Sequence, residues 1–389
     1  MKLLIDGVCF RVRDTSIARL WRSLIACMVA QNGLEIYVLD RGGRVPAIEG
    51  IRYIPFPTIS SDQQAKYAHS ADESALIQKI CDSFEIDVFA STFYTTPLST
   101  PTVMIVYDMI PELFGVDLSE RVWMEKDASI CFAQRYICIS ETTRSDLLAF
   151  YPEIPMPSVS VSYCGVDHGV FAQRSPQEVT KFRDDRGWHR PYYLFVGSRA
   201  QQKDYKNSLL FFRAIAGLGT ADFDVRCVGG EAEIEGEIAG TMPEGVQCTG
   251  GVLTDVELAL AYNGALALVH PPLYGGFGMP VLEAMACGCP VITTKIGSLA
   301  ELVGNATCIV SGHSVPEMQN ALRRIRDNDY HDELRRAGLL HASNFKWQYM
   351  ADQFAESVLS LHATAKTGAF DFFFQEWQRV RKIQASVDF

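Results

Sequence analysis

Several features that would settle the class of a protein at once are missing from this 389-residue sequence. No uninterrupted apolar run reaches about 18 residues, so no membrane-spanning helix is expected. Met1-Lys-Leu-Leu-Ile-Asp-Gly7 reads as a buried strand rather than as a signal core followed by a small-residue cleavage site. Basic residues are in the minority, 35 Lys and Arg against 46 Asp and Glu, for a formal charge of −11. That balance argues against a surface built for nucleic-acid phosphates, and no nucleic-acid partner is expected. The 11 cysteines are scattered singly apart from Cys287 and Cys289, without zinc-site pairing or a compact disulfide framework. Reduced thiols in a cytosolic setting are the expectation. The sequence contains no G-x-G-x-x-G, no G-x-x-x-x-G-K-[ST], no H-E-x-x-H and no G-x-S-x-G, which removes the main support for simple dinucleotide, P-loop, zincin and hydrolase readings.

What is present is a repeating alternation of short apolar runs and segments of helical period. Leu3 to Ile5 leads into a helix with Ile17, Leu20, Trp21, Leu24 and Met28 on one face, and Ile36 to Leu39 follows as a strand. Further strands are predicted at Val88–Ala90, Val103–Tyr107, Tyr136–Ser140 and Val159–Tyr163. A second series runs through Tyr193–Val196, Val225–Val228, Val246–Cys248, Leu266–His270, Val291–Thr293 and Cys308–Val310. Such alternation gives parallel sheets, so two doubly wound α/β domains are expected, with a ligand in the cleft between them. The polar stretch Arg174 to Arg190 is read as the linker, which sets a first domain at 1–180 and a second at 190–365. The tail, 366–389, carries Phe370, Phe373, Phe374, Trp377, Val380 and Ile383 on one stripe, with Asp371, Glu376, Arg379, Arg381 and Lys382 away from it. Two readings fit it: a helix packing across the first domain, or peripheral contact with a membrane surface.

Chemistry concentrates in the second half. Asp222-Phe-Asp224 and Asp327-Asn-Asp329 have metal-compatible spacing, but the first pair enters its strand at the edge away from the expected ligand side, and no metal is expected. From His270 to Glu301 a strand ends, a loop bearing Gly275, Gly276 and Gly278 follows, and Pro280 opens a helix that Gly288 and Pro290 stop after about two turns. Amides and the positive helix end at such a place suit a phosphate, and Glu283, read as lying in the first turn, suits sugar hydroxyls. Strand Tyr193 to Ser198 runs into Arg199, and Lys206 opens the next helical pattern, with Lys203 as the solvent-facing alternative. Two cations on that edge suit a diphosphate.

These segments, Arg199 to Asn207, Gly250 to Leu258 and Leu273 to Glu301, resemble the C-terminal half of a retaining glycosyltransferase of family 4, of GT-B fold. Val106 to Glu112, Ile137 to Leu147 and Gly165 to Asp167 are similar to segments found in the same order in that family's first half. The resemblance implies two Rossmann-like domains facing a cleft, with a C-terminal helix returning to the first. It implies that Arg199 and Lys206 bind the donor diphosphate and offset charge on the leaving group, with Ser198 and Leu282 among the donor-binding positions. The ribose hydroxyls fall to Glu283, the donor sugar to the loop Gly275, Gly276, Phe277, Gly278 and Met279, and the base to Val252 and Leu253. Asp108 is the first-domain polar candidate in the cleft, or else a cap for the loop before Pro111. Ser140 and Glu141 are read as a helix start. The implied reaction moves a hexose from a UDP-, GDP- or dTDP-sugar to a saccharide or lipid-linked saccharide, without cofactor or metal. Two departures stand out. The glutamate that family members commonly carry eight positions before the residue matching Glu283 is Gly275 here, and Tyr107 stands where many have histidine. The loop Asp14 to Arg19 also lacks the glycines many relatives use near the donor phosphate.

Overall fold

A computed structural model describes all residues except 12–14, 30, 32, 43, 57–70, 200–204, 220–221, 232–241 and 388–389. The chain divides into two compact units. One comprises Met1–Ile139, Thr143–Gly165 and Trp347–Phe389, the other Ser140–Thr142 and Val166–Lys346.

In the first unit, strands β1 (Lys2–Asp6), β2 (Glu35–Asp40), β3 (Arg52–Pro55) and β4 (Val88–Ser91) form a parallel sheet in the order β3-β2-β1-β4. Strands β5 (Val103–Val106), β6 (Arg135–Cys138) and β7 (Val159–Val161) continue in parallel, joined to β4 by a bridge between Phe89 and Thr102. Leu3, Leu4 and Ile5 are fully buried, as consecutive residues of a parallel strand covered on both faces must be. Thr15 accepts the Ala18 amide at 3.1 Å and starts the helix Ser16–Met28, whose Trp21 meets Phe354 edge to face.

In the second unit, β8 (Tyr192–Val196), β9 (Asp224–Val228), β10 (Cys248–Gly251), β11 (Ala267–His270), β12 (Val291–Thr293) and β13 (Cys308–Ile309) make one parallel sheet in the order β10-β9-β8-β11-β12-β13. Phe195, Phe211 and Phe212 stack in a core with Val225, Val269 and Ile292. Each such side chain contributes about 1.5–3 kcal/mol by leaving water. Both units thus have the doubly wound order in which the chain turns back beside its first strand, and the crevice at that reversal is where ligands bind.

The structure moves several expected boundaries. The segment read as a linker holds the helix Pro176–Asp185, started by a reciprocal capping box between Ser175 and Glu178 and anchored by buried Phe182. The helix Trp347–Ala365, expected at the end of the second domain, belongs to the first unit, where it buries Met350, Phe354, Val358 and Leu361 and packs on Ser16–Met28. The tail helix Asp371–Val387 packs on the helix Ala71–Phe84, and the expected stripe holds over its first half, where Phe373, Phe374 and Trp377 lie against Phe132, but fails over its second. Val380 and Ile383 are exposed, whereas Arg381 is buried, paired with Glu125 at 2.8 Å and bonded to Ser74 at 3.0 Å. A neutralised guanidinium has replaced apolar residues on the inner face, which no hydrophobic period reveals. No helix among the described residues is long and apolar enough to cross a membrane.

Candidate functional site

The second unit's chain reversal lies between β8 and β11. Beyond β8 the chain turns through Gly197, whose φ of +120° is open to glycine and whose absent Cβ would lie 2.7 Å from Lys206 Nζ. The lysine ammonium therefore lies directly against the backbone at the end of the central strand. Asn207 holds it there: in the left-handed conformation at φ 56°, its side-chain amide donates to Pro271 O at 3.0 Å and to Gly312 O at 2.7 Å. It also begins the helix Ser208–Ala216. Lys203, the alternative cation, lies outside the described residues.

Arg199 stands on the same edge but is turned onto the strand next door. It is buried, and its guanidinium donates to Gly197 O and Gly229 O, the latter at 2.9 Å. Its amide donates to the Glu231 carboxylate at 2.6 Å, and the guanidinium lies 4.0 Å from that carboxylate. Ser198 Oγ donates to the same group. Burial pushes the Glu231 carboxyl up, but the Ser198 hydroxyl, the Arg199 amide and the Arg199 charge outweigh it and bring it down to about 2. Gly230 makes the close approach feasible, since a Cβ there would fall 2.6 Å from Ser198 Cα.

Beyond β11 the glycine loop leads into the helix Met279–Ala286, with Gly278 at φ +102° as its N-cap and Pro280 in the first turn. A Cβ on Gly278 would strike Leu299 at 2.5 Å, whereas one on Gly275 would meet nothing within 4 Å. Glu283 lies in the second turn, not the first, and is buried with the Tyr262 hydroxyl donating to it at 3.3 Å. Leu282 and Phe277 are core side chains, and the Leu282 amide donates to Gly278 O, so Leu282 presents no group to a ligand. Met279 and Gly276 are partly exposed. Val252 is exposed and Leu253 half-buried, directly after β10. All these positions therefore lie along the C-terminal edge of one sheet. At the end of β11, His270 is buried with no hydrogen-bond partner for Nδ1 among the described residues. Burial, then the Lys206 charge, lowers its pKa to about 3, so the ring is neutral.

Residues 190–328 match the family described as glycosyl transferases group 1. Over those residues the chain is similar to this family. It is 26% identical over 243 residues to the O-antigen chain mannosyltransferase B of Escherichia coli, covering 59% of this chain and 62% of that one. It is 23% identical over 238 residues to the O-antigen chain mannosyltransferase RfbU of Salmonella typhimurium, covering 60% and 64%. The chain thus spans less than two thirds of the length of either relative. Among solved structures, Anabaena Alr3699/HepE in complex with UDP-glucose matches with a TM-score of 0.71 at 18% identity, over 92% of this chain and all of that one. The fold is GT-B, with two Rossmann-like α/β domains.

The first-unit candidates behave mostly as structure. Asp108 accepts the Ile110 amide at 3.0 Å and so caps the turn before Pro111. Burial raises its carboxyl above the usual range, with Lys126 opposing. Tyr107 is buried, its hydroxyl accepting from Trp21 at 2.6 Å and donating to Thr92 O at 2.8 Å. The helix Glu141–Phe150 starts at Glu141. Asp222 is held by Arg326 at 3.0 Å and Asp224 by Arg226 at 2.7 Å, while Asp327 caps the helix Asn328–Ala342. Reading the sequence missed Glu231 and gave no role to Asn207 or His270. For Glu231 the signal was available, because Gly229-Gly230-Glu231 follows β9 at the end where ligands gather.

Proposed function

We propose that this chain transfers a hexose, glucose or mannose, from a nucleoside diphosphate sugar to a saccharide or lipid-linked saccharide acceptor in polysaccharide biosynthesis, with retention at the anomeric carbon and without a metal. The observation that carries the reading is the Gly197 to Lys206 arrangement at the chain reversal, with Arg199 one turn away and a glycine-led helix beyond the neighbouring strand. The O-antigen mannosyltransferase relatives and the UDP-glucose complex of the Anabaena protein support the substrate class.

In this proposal Lys206 serves as a point charge for the diphosphate. Arg199 exchanges the Glu231 carboxylate and the carbonyls for phosphate oxygens, a substitution its planar donors suit. The amides from Gly275 to Met279 face the sugar, Glu283 accepts ribose hydroxyls, and Val252 and Leu253 flank the base. As the anomeric carbon–oxygen bond breaks, negative charge collects on the diphosphate, where fixed cations stabilise it without reorganisation. The acceptor oxygen attacks the same face and its proton passes to the leaving phosphate oxygen. Asp108 is assigned to the acceptor side.

A second reading, a nucleotide-sugar-binding protein with weak or lost transfer, is favoured by Gly275, which places no carboxylate in the open space beside the loop, and by Tyr107, whose hydroxyl is committed to Trp21 and Thr92. Incubation with labelled UDP-glucose, GDP-mannose and dTDP-rhamnose separates the two: transfer to an acceptor, or slow donor hydrolysis, supports the enzyme, and binding alone supports the second reading. Arg199→Ala and Lys206→Ala should each weaken nucleoside diphosphate binding by about 1.5–3 kcal/mol, the range for hydrogen bonds to charged groups. Unchanged calorimetric affinity in both variants would remove the proposed site.

A further inference from the structure

Cys227 and Cys248 are two free thiols whose sulfurs lie 4.0 Å apart on neighbouring strands, β9 and β10. The register explains why they meet. Cys227 is opposite Gly250, and Cys248 lies two residues before Gly250, so the period of two puts both cysteines on one face of the sheet. Gly250 carries no side chain to separate them. Cys227 is buried in the core, while Cys248 is half-buried on β10, the outermost strand, where a small oxidant can reach it.

The two strands also lead straight into the candidate site. Two residues after Cys227 begins Gly229-Gly230-Glu231, the turn that holds Arg199. Four residues after Cys248 comes Val252, followed by Leu253. We propose that Cys227 and Cys248 form a thiol pair that closes to a disulfide under peroxide, and that closure weakens nucleotide binding by displacing these two turns. The effect on binding rests on the nucleotide site proposed above; the crosslink does not.

The chemistry balances with peroxide as the oxidant. The hydrogen bond from the Cys227 thiol outweighs burial and, with Arg199 and Arg226, favours the Cys248 thiolate. That thiolate attacks one peroxide oxygen, the oxygen–oxygen bond breaks, and the departing hydroxide takes up the proton the thiol had released, leaving a sulfenic acid and one water. The Cys227 sulfur then attacks the Cys248 sulfur and expels a second water as the disulfide forms. Two thiols are oxidised and one peroxide is reduced. The sulfurs must close to about 2.05 Å, which pulls Cys248, the first residue of β10, toward Cys227 near the ligand-side end of β9 and so shifts the register of the two strands that lead into the turns.

The test uses the full-length protein treated with hydrogen peroxide, digested without reduction and mapped by mass spectrometry. A peptide joining Cys227 to Cys248, two hydrogens lighter than its parts and absent in Cys248→Ser, is expected; its absence from the oxidised wild type overturns the proposal. Calorimetric titration with UDP and GDP on reduced and oxidised protein reads the consequence. Affinity is expected to fall about tenfold on oxidation, on the scale of one lost hydrogen bond to a charged group, to return with dithiothreitol, and to hold in peroxide-treated Cys248→Ser. A mapped crosslink with unchanged affinity overturns the regulatory consequence. If the reduced protein binds no nucleotide at all, it is the proposed function that fails, and the peptide map still decides whether the thiol pair exists.

Discussion

The two sheets run in the same doubly wound order, yet they treat the equivalent edge in opposite ways. In the first unit, Asp6 at the end of the central strand is buried, and Arg41, just past β2, clasps it with bonds of 2.6 and 2.7 Å while also reaching Glu73 at 2.9 Å. Thr95 donates to the same aspartate at 2.7 Å. In the second unit the charges are exchanged between the strands: Arg199 follows the central strand and Glu231 follows its neighbour, at 4.0 Å. The side chains of Asp6 and Arg41 are 0% and 3% exposed, but that of Glu231 is 42% exposed. One edge is sealed by its own side chains, and the other is covered by a carboxylate that water already reaches. A shared topology therefore offers a crevice without deciding whether it is open, and the side chains at the strand ends decide that.

Breaking the sealed edge should have the largest effect. Arg41→Ala leaves the Asp6 and Glu73 carboxylates facing one another without a counter-charge, which should destabilise the first unit by about 3–5 kcal/mol. Urea denaturation followed by tryptophan fluorescence measures it. A loss below about 1 kcal/mol would mean that the cluster is solvated and that the contrast between the edges is wrong.

On the open edge the strain is in the backbone. Gly197→Ala sets a Cβ against Lys206 at φ +120° and should cost roughly 1–3 kcal/mol. Because the lysine must move, nucleoside diphosphate affinity should fall as well. Calorimetry showing stability lost but affinity retained would separate Lys206 from the ligand.

His270 sharpens the comparison by its pH dependence. The corresponding strand end in the first unit, β4, is followed by Thr92, which donates to Asp6 O at 2.7 Å, whereas β11 ends in an imidazole whose Nδ1 has no partner among the described residues. With its pKa lowered to about 3 from the ordinary 6.5, the folded protein takes up this proton later than the unfolded chain does. Its burial is therefore without penalty above pH 6.5 and destabilises increasingly as pH falls from 6.5 toward 3. The slope is about 1.4 kcal/mol per pH unit, or about 2 kcal/mol by pH 5. His270→Leu should remove this part of the acid sensitivity, so the gap in melting temperature between variant and wild type should widen in the variant's favour from pH 7 to pH 5. Parallel curves would show that the ring is hydrated.

The strands legible in the sequence were those whose apolar runs are buried on both faces, such as Leu3–Ile5 and Val291–Thr293. Two edges were less so. β3, Arg-Tyr-Ile-Pro with only Ile54 buried, does not read as a strand, and β10, Cys-Thr-Gly-Gly, starts at Cys248, where the expected strand Val246–Cys248 ends, because its glycines read as a turn. The cations were legible because both follow a readable strand or open a readable helix. Their partners were not, since Glu231 approaches Arg199 only through the pairing of β9 with β8, and Arg381 reaches Glu125 across 256 residues of sequence. Residue type announces that a charge exists; only the tertiary pairing shows what neutralises it.

Glu231→Ala should have the smallest effect on stability and the most discriminating effect on binding. A carboxylate this exposed contributes little to stability, below about 1 kcal/mol, because water screens it. If it covers Arg199 in place of a ligand phosphate, its removal frees the guanidinium, and nucleoside diphosphate affinity should rise or stay level. If Arg199 instead needs Glu231 to keep its orientation, affinity should fall alongside that of Arg199→Ala, and the double variant should lose no more than either single one. A double-mutant cycle read by calorimetry distinguishes the two, since coupling is expected only between residues that act together. A fall in affinity with full coupling would make the second edge a fixed, preorganised pair like Asp6 and Arg41, and the difference between the two edges would then be one of exposure alone.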